Sequence, residues 1–135
     1  MANFVGEKFG VLGTEKYNNS AIIKAIREDL KKEFPTKIYK FGVRRNGAGS
    51  QCIQILIKQA PKFELIDQDI DVENHLRYTD QFKEEFINKI AQIANAYNYD
   101  NSDIMSDYFD CNYYLDIKCI WWNTSKNTSE LIKIV

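Results

Sequence analysis

The sequence predicts an α+β domain, and three stretches predict it. An amphipathic segment, Ser20 to Phe34, sets Ile22, Ile23, Ile26, Leu30 and Phe34 at helical spacing. Two alternating segments flank the turn sequence Asn46-Gly47-Ala48-Gly49-Ser50. A longer alternation of Cys111, Tyr113, Leu115, Ile117, Cys119 and Trp121 runs unbroken from Cys111 to Trp122.

The helix comes first. Arg27, Glu28, Lys31 and Lys32 take the face opposite its apolar stripe. Asn19 or Ser20 can cap its start, Lys31 and Lys32 suit the negative end of its dipole, and Pro35 stops it. Lys37 to Arg45 then reads as a strand with Tyr39, Phe41 and Val43 on its core face. Gln51 to Lys58 reads as its partner, with Ile53, Ile55 and Ile57 on one face and Cys52, Gln54, Leu56 and Lys58 on the other. The glycine turn makes an antiparallel hairpin of the two.

Ala60 to Arg77 has no clean period and holds five acidic residues, which predicts an irregular excursion. A second helix is expected over Thr79 to Tyr97, with Phe82, Phe86, Ile90, Ile93 and Tyr97 as its stripe. The long strand Cys111 to Trp122 follows, with Trp121 inward. Asn123 to Ser129 reads as loop, and Leu131 to Val135 as a short edge strand. A weak strand within Asn3 to Leu12 would complete the order β-α-β-β-α-β. That order predicts a ferredoxin-like antiparallel sheet with two helices on one face. The reading is one domain over 1–135, with its core at about 20–122 and a tail at 123–135.

Composition narrows the function classes. With 44% hydrophobic and 13% aromatic residues in 135, the chain can bury a core. Met1 to Leu12 has no continuous apolar run of the kind a secretory signal needs, and no stretch is long enough to cross a membrane. A cytoplasmic protein is therefore expected, and the N-x-[ST] matches at Asn18, Asn123 and Asn127 are read as chance. Cys111 and Cys119, eight residues apart on one strand, would stand roughly 26 Å apart, too far for a disulfide. Without a C-x-x-C pair, Cys52, Cys111 and Cys119 read as buried thiols.

The net charge of −1 conceals a division. Lys31 to Lys62 carries eight basic residues against one acid, and Phe63 to Asp116 carries thirteen acids against three bases. Two surfaces follow. Asp100, Asp103, Asp107 and Asp110 recur at intervals of three, four and three, so a helix there would line them on one face. Such carboxylates suit a basic partner, Mg²⁺ or Ca²⁺, or acid–base work, but Asp and Ser are also ordinary turn residues. The EF-hand order is missing. Lys37, Lys40, Arg44 and Arg45, interleaved with Tyr39 and Phe41, form the rival surface, a basic hairpin suited to nucleic acid. Against it, Tyr39 and Phe41 belong to the core face, which leaves the cations as a solvated face.

Nothing points to catalysis. His75 is the single histidine and sits in the irregular acidic excursion. Neither phosphate-loop pattern nor a G-x-S-x-G elbow is present. No catalytic residue, metal or cofactor is expected.

Two stretches together resemble a known family. Ala21 to Pro61 reads AIIKAIREDLKKEFPTKIYKFGVRRNGAGSQCIQILIKQAP, and Tyr97 to Leu115 reads YNYDNSDIMSDYFDCNYYL. A helix ending in Lys-x-x-Phe-Pro, a glycine-rich turn between strands, and the Tyr-Asn-Tyr-Asp-Asn-Ser-Asp run resemble the large polyvalent protein-associated domain 29 family, over Ser20 to Ile117. The chain departs from that pattern at Gly47-Ala48-Gly49-Ser50 and at Lys58-Gln59-Ala60-Pro61. The resemblance implies a free-standing domain from a phage, plasmid or other mobile element, acting in a bacterial host. It supplies no catalytic residues. It implies a small non-enzymatic protein that counters host defence, by anti-CRISPR or antirestriction action, through a host nuclease complex. The alternative is a nucleic-acid-binding accessory module, and self-association through Trp121 or Trp122 is a third reading.

Overall fold

The computed structural model describes residues 4–8, 19–45, 52–100 and 113–135. In chain order its elements are β1 (Phe4–Val5), α1 (Asn19–Glu33), β2 (Lys40–Arg45), β3 (Cys52–Ala60), α2 (Val72–His75), α3 (Glu84–Ala94), β4 (Tyr99–Asp100), β5 (Tyr114–Lys118), β6 (Ile120–Asn123), β7 (Thr128–Leu131) and β8 (Lys133–Ile134). The α+β class holds.

Helix α1 lies within one residue of each expected boundary. Ile22, Ile26 and Leu30 are buried along it, and Phe34 closes the stripe just beyond its last turn. The amides of Ile38 and Tyr39 donate to the Pro35 carbonyl and turn the chain into β2. Strands β2 and β3 pair antiparallel, with Val43 opposite Ile55 and Arg44 opposite Gln54. The predicted hairpin is present, although its turn lies outside the described residues.

The sheet is mixed, and this corrects the expected antiparallel arrangement. Strand β5 lies directly beside β3 and parallel to it, with Ile117 opposite Ile55. The short β8 also pairs parallel with β3, farther along at Gln59 and Ala60. The ferredoxin-like order needs the first strand between those two, and no described strand is there. Instead β1 pairs with β4 in a separate two-stranded ribbon. The connection β3–α3–β5 is thus a crossover between neighbours, which returns the chain parallel.

Two other expectations change for tertiary reasons. The helix expected over 79–97 is divided into a 3₁₀ turn at Thr79–Gln81, α3, and a second 3₁₀ turn at Asn95–Tyr97. The break falls where Phe82, in extended conformation, forms a β-bridge with Leu65. The strand expected over 111–122 ends at Lys118, because the Cys119 carbonyl accepts from Ile132 and the chain pairs with β7 instead. The tail is accordingly a β6–β7 hairpin, with Asn127 at φ 54°, a left-handed position that Asn tolerates. Trp121 is buried and Trp122 is 49% exposed, as the alternation requires.

One core joins the inward faces of both helices to Ile53, Ile55 and Ile57 of β3, with Phe86, Ile90 and Ala94 contributed by α3. The irregular excursion is anchored as well, since Leu65 and Leu76 are fully buried. Phe34, Tyr39, Phe41, Phe82 and Phe86 form a continuous aromatic cluster, with Phe34 and Phe86 edge to face at 5.7 Å. Burying Phe34, Phe82 and Phe86 contributes about 1.5–3 kcal/mol each relative to exposure.

Candidate binding surfaces

The acidic run departs from a fixed junction. Asn98 is buried, and its side-chain amide pairs with the Tyr113 backbone as a neighbouring strand would. Nδ2 donates to the Tyr113 carbonyl at 2.8 Å, and Oδ1 accepts from the Tyr113 amide at 3.1 Å. Nδ2 also donates to Asn95 Oδ1 at 3.1 Å. Tyr113 is 1% exposed, and its hydroxyl donates to the Ala94 carbonyl. Burial holds that phenol well above its usual pKa.

The amino-terminal segment braces the same junction. Gly6 donates to the Asn98 carbonyl and Lys8 to that of Ala96, both at 2.7 Å. A Cβ on Gly6 would collide with the carbonyls of Asn95 and Ala96, so the close approach requires glycine. A polar tether ties this segment to α1. Asp29 Oδ2 accepts from the Tyr97 hydroxyl at 2.6 Å and from Lys8 Nζ at 2.9 Å. Burial alone would raise the Asp29 pKa, but the Tyr97 hydroxyl and the Lys8 ammonium outweigh it and hold the carboxyl below its ordinary value.

Residues 98 and 113 are therefore bonded to each other, and the acidic sequence lies between them. Asp100 is on β4, paired with Phe4 of β1. A strand at that position does not belong to a common helical face with the other acids. Asp103, Asp107 and Asp110 lie outside the described residues.

The four cations of the expected basic hairpin do not converge. Lys37 is exposed in the turn before β2, and Lys40 is exposed at its first position. Arg44 and Arg45 are adjacent on a strand and so point to opposite sheet faces. Arg44 is committed: Nε donates to Gln54 Oε1 at 2.9 Å and Nη1 to the Trp122 carbonyl at 3.1 Å. Gln54 Nε2 continues the row to Asp116 Oδ2 at 3.3 Å, so Arg44, Gln54 and Asp116 form a polar chain across β2, β3 and β5. Tyr39 is buried, and Phe41 is half-buried beside it.

The remaining candidates separate in the same way. His75 is exposed, and its imidazole makes no hydrogen bond among the described residues. Cys119 is buried and its thiol is pushed up to about 11 by that burial, while Cys52 is half-buried on β3. Cys111 lies outside the described residues. Among the described residues no group of three His, Cys, Asp or Glu side chains is placed to hold a metal, and no helix is long and apolar enough to cross a membrane. A cleft of about 610 Å³ beside Cys119 mixes Arg77 and Lys118 with Asp80 and Asp116, so it presents both signs of charge.

Sequence reasoning missed the Asn98–Tyr113 junction and the Asp29 tether, whose partners are far apart in the chain. Compared with protein-family models, curated proteins and solved structures, the chain matches none.

Proposed function

We propose that this chain is a non-catalytic binding protein of a phage or other mobile element that counters host defence by docking on a host nuclease complex. The observation that supports this reading is the Asn98–Tyr113 pairing. It joins residues 98 and 113, which flank the acidic sequence, at one buried point. A negatively charged segment carried in this way suits a basic groove that would otherwise receive phosphates, and its approach is steered by long-range attraction. Asp103, Asp107 and Asp110, with Asp100 at the edge of the fixed base, are the residues assigned to contact. The setting is the cytoplasm of a bacterial host, and no metal or cofactor takes part.

The test pairs capture with activity. Tagged protein added to a host lysate should retain one nuclease complex at stoichiometric yield and reduce its cleavage of nucleic acid. Asp103→Lys combined with Asp107→Lys should abolish both effects and leave the circular dichroism spectrum unchanged. Full inhibition by that double variant would remove the acidic run from the interface. Recovery of nucleic acid alone, lost at high salt, would replace the inhibitor reading with a nucleic-acid-binding module.

A further inference from the structure

A cleft of about 310 Å³ opens between the last turns of α1 and the edge strand β2. Its floor is Leu30, Phe34, Tyr39 and Phe41. The first three are at most 7% exposed, whereas Phe41 is half-buried and presents ring surface to the cleft. That ring is held by its neighbours: its centroid lies 5.1 Å from that of Phe34, and it is parallel to Tyr39 within 6° at 6.4 Å. The Tyr39 hydroxyl is already used, donating to Glu64 Oε2 at 2.7 Å.

The rim is cationic. Arg27 and Lys31, one helical turn apart on α1, face Lys40 of β2 and Lys58 of β3, and no carboxylate lines the cleft. Among the described residues Lys31, Lys40 and Lys58 take part in no ion pair. Arg27 donates to the Val43 carbonyl at 2.8 Å, which positions its guanidinium at the strand edge with further donors to spare.

Lys58 reaches this rim from the wrong side of the sheet. It alternates with Gln54 and Leu56 and so begins on the face opposite Tyr39 and Phe41. It crosses β2 at Gly42, where an added Cβ would stand 2.7 Å from Lys58 Cε and 3.3 Å from Nζ. Gly42 does not adopt the left-handed conformation, so glycine supplies space here and not backbone freedom. The missing side chain is the notch through which a fourth cation joins the other three.

We propose that this cleft binds an aromatic ring carrying phosphate, either a mononucleotide or one unit of a single-stranded nucleic acid. Four cations around one small cleft exceed what a single carboxylate can use, and they suit a phosphate bearing two negative charges. The floor offers ring surface and few groups that could read a base edge, so it stacks bases without choosing among them. The volume lies at the lower end of the ~300–1,000 Å³ usual for ligand clefts, which limits the occupant to one ring and its phosphate. This site shares no residue with the acidic run and does not depend on the role proposed for it.

The test uses the full chain and fluorescein-labelled oligo-dT of about ten nucleotides, a length within the range that aromatic-bearing grooves cover. Anisotropy should report binding that weakens as salt rises. AMP should compete, and inorganic phosphate should compete far less well. Competition by AMP identifies a mononucleotide site, and binding of the strand without competition by AMP identifies a strand site. Lys31→Glu with Lys40→Glu should weaken binding at least about tenfold, through lost phosphate contacts. Gly42→Ala should weaken it by a smaller factor by displacing Lys58, and Phe41→Leu should weaken it while preserving the fold. Lys126→Glu, on the distant hairpin turn, should change nothing. Unaltered binding in the Lys31 and Lys40 double variant would overturn the proposal, as would displacement of the strand by inorganic phosphate at the concentrations at which AMP displaces it. Binding of an acidic tyrosine-containing peptide, with none of either nucleotide probe, would overturn it in favour of a protein ligand.

Discussion

The two faces of strand β3 divide its labour. On one face Ile53, Ile55 and Ile57 are completely buried beneath α1 and α3. On the other, Gln54 and Leu56 are also nearly inaccessible, yet Gln54 spends its burial on hydrogen bonds to Arg44 and Asp116. Lys58 leaves that same face altogether across Gly42. Equal burial therefore does not mean equal contribution. The apolar face supplies cohesion through dispersion and the hydrophobic effect, and the polar face supplies register and orientation at little net gain, because each of its bonds replaces one to water.

Four experiments would break or sharpen that contrast. The largest effect is expected from Ile55→Ala, which removes a fully buried side chain from the centre of the core. It should lower unfolding free energy by about 2–5 kcal/mol, read as a shift in the urea midpoint at constant slope. A loss comparable to a surface substitution would mean that this face is not the main source of cohesion.

The thiols probe the same division chemically. In a Cys111→Ser background, iodoacetamide should label half-buried Cys52 at least about tenfold faster than Cys119, which stays silent until global unfolding. Because burial raises the Cys119 thiol from 9.0 to about 11, its contribution to stability is complete below pH 9 and is lost as pH rises through 11. Replacing Cys119 with Ala should make the fall in stability from pH 9 shallower, leaving the decline above pH 10 that the raised phenols of Tyr39, Tyr97 and Tyr113 cause. Comparable labelling rates for the two thiols would contradict a sealed core.

The smallest effect should come from Gln54→Leu, which keeps the volume but ends the polar chain. A change of about 1 kcal/mol or less is expected by denaturation, since Arg44 and Asp116 are partly solvated and can turn to water. A loss equal to that of Ile55→Ala would show that the polar row contributes cohesion as well as register.

Much of this fold was legible because its determinants are local. The α1 stripe, the β2–β3 pairing and the choice of Trp121 over Trp122 all follow from the spacing of neighbouring residues. The parallel pairing of β3 with β5 was not, since Gln54 and Asp116 are 62 positions apart and alternation carries no direction. Nor was the end of β5 at Lys118: the pattern continues through Cys119 and Trp121, and the β7 partner draws the chain away. The break before α3 has the same character, set by Leu65 meeting Phe82. Of the candidate surfaces, the acidic run was visible as composition, but its Asn98–Tyr113 base was not. The basic hairpin was visible as a charge run, but only the fold shows that Arg44 is engaged while Arg27, Lys31 and Lys58 join Lys40 elsewhere. A cation led over a glycine from the opposite face has no signature in sequence spacing.

The parallel partners of β3 have a further consequence during synthesis. Strands β5 and β8 follow the hairpin and α3 in the sequence, so a ribosome delivers the hairpin and α3 before the strands that pair with β3. In that interval β3, with Ile53, Ile55 and Ile57 adjacent to an unpaired edge, is a template for wrong partners. Long-range parallel pairing is also slow to form once the chain is released. The vulnerable moment for this protein is the interval in which β3 has its hairpin partner but still awaits β5 and β8.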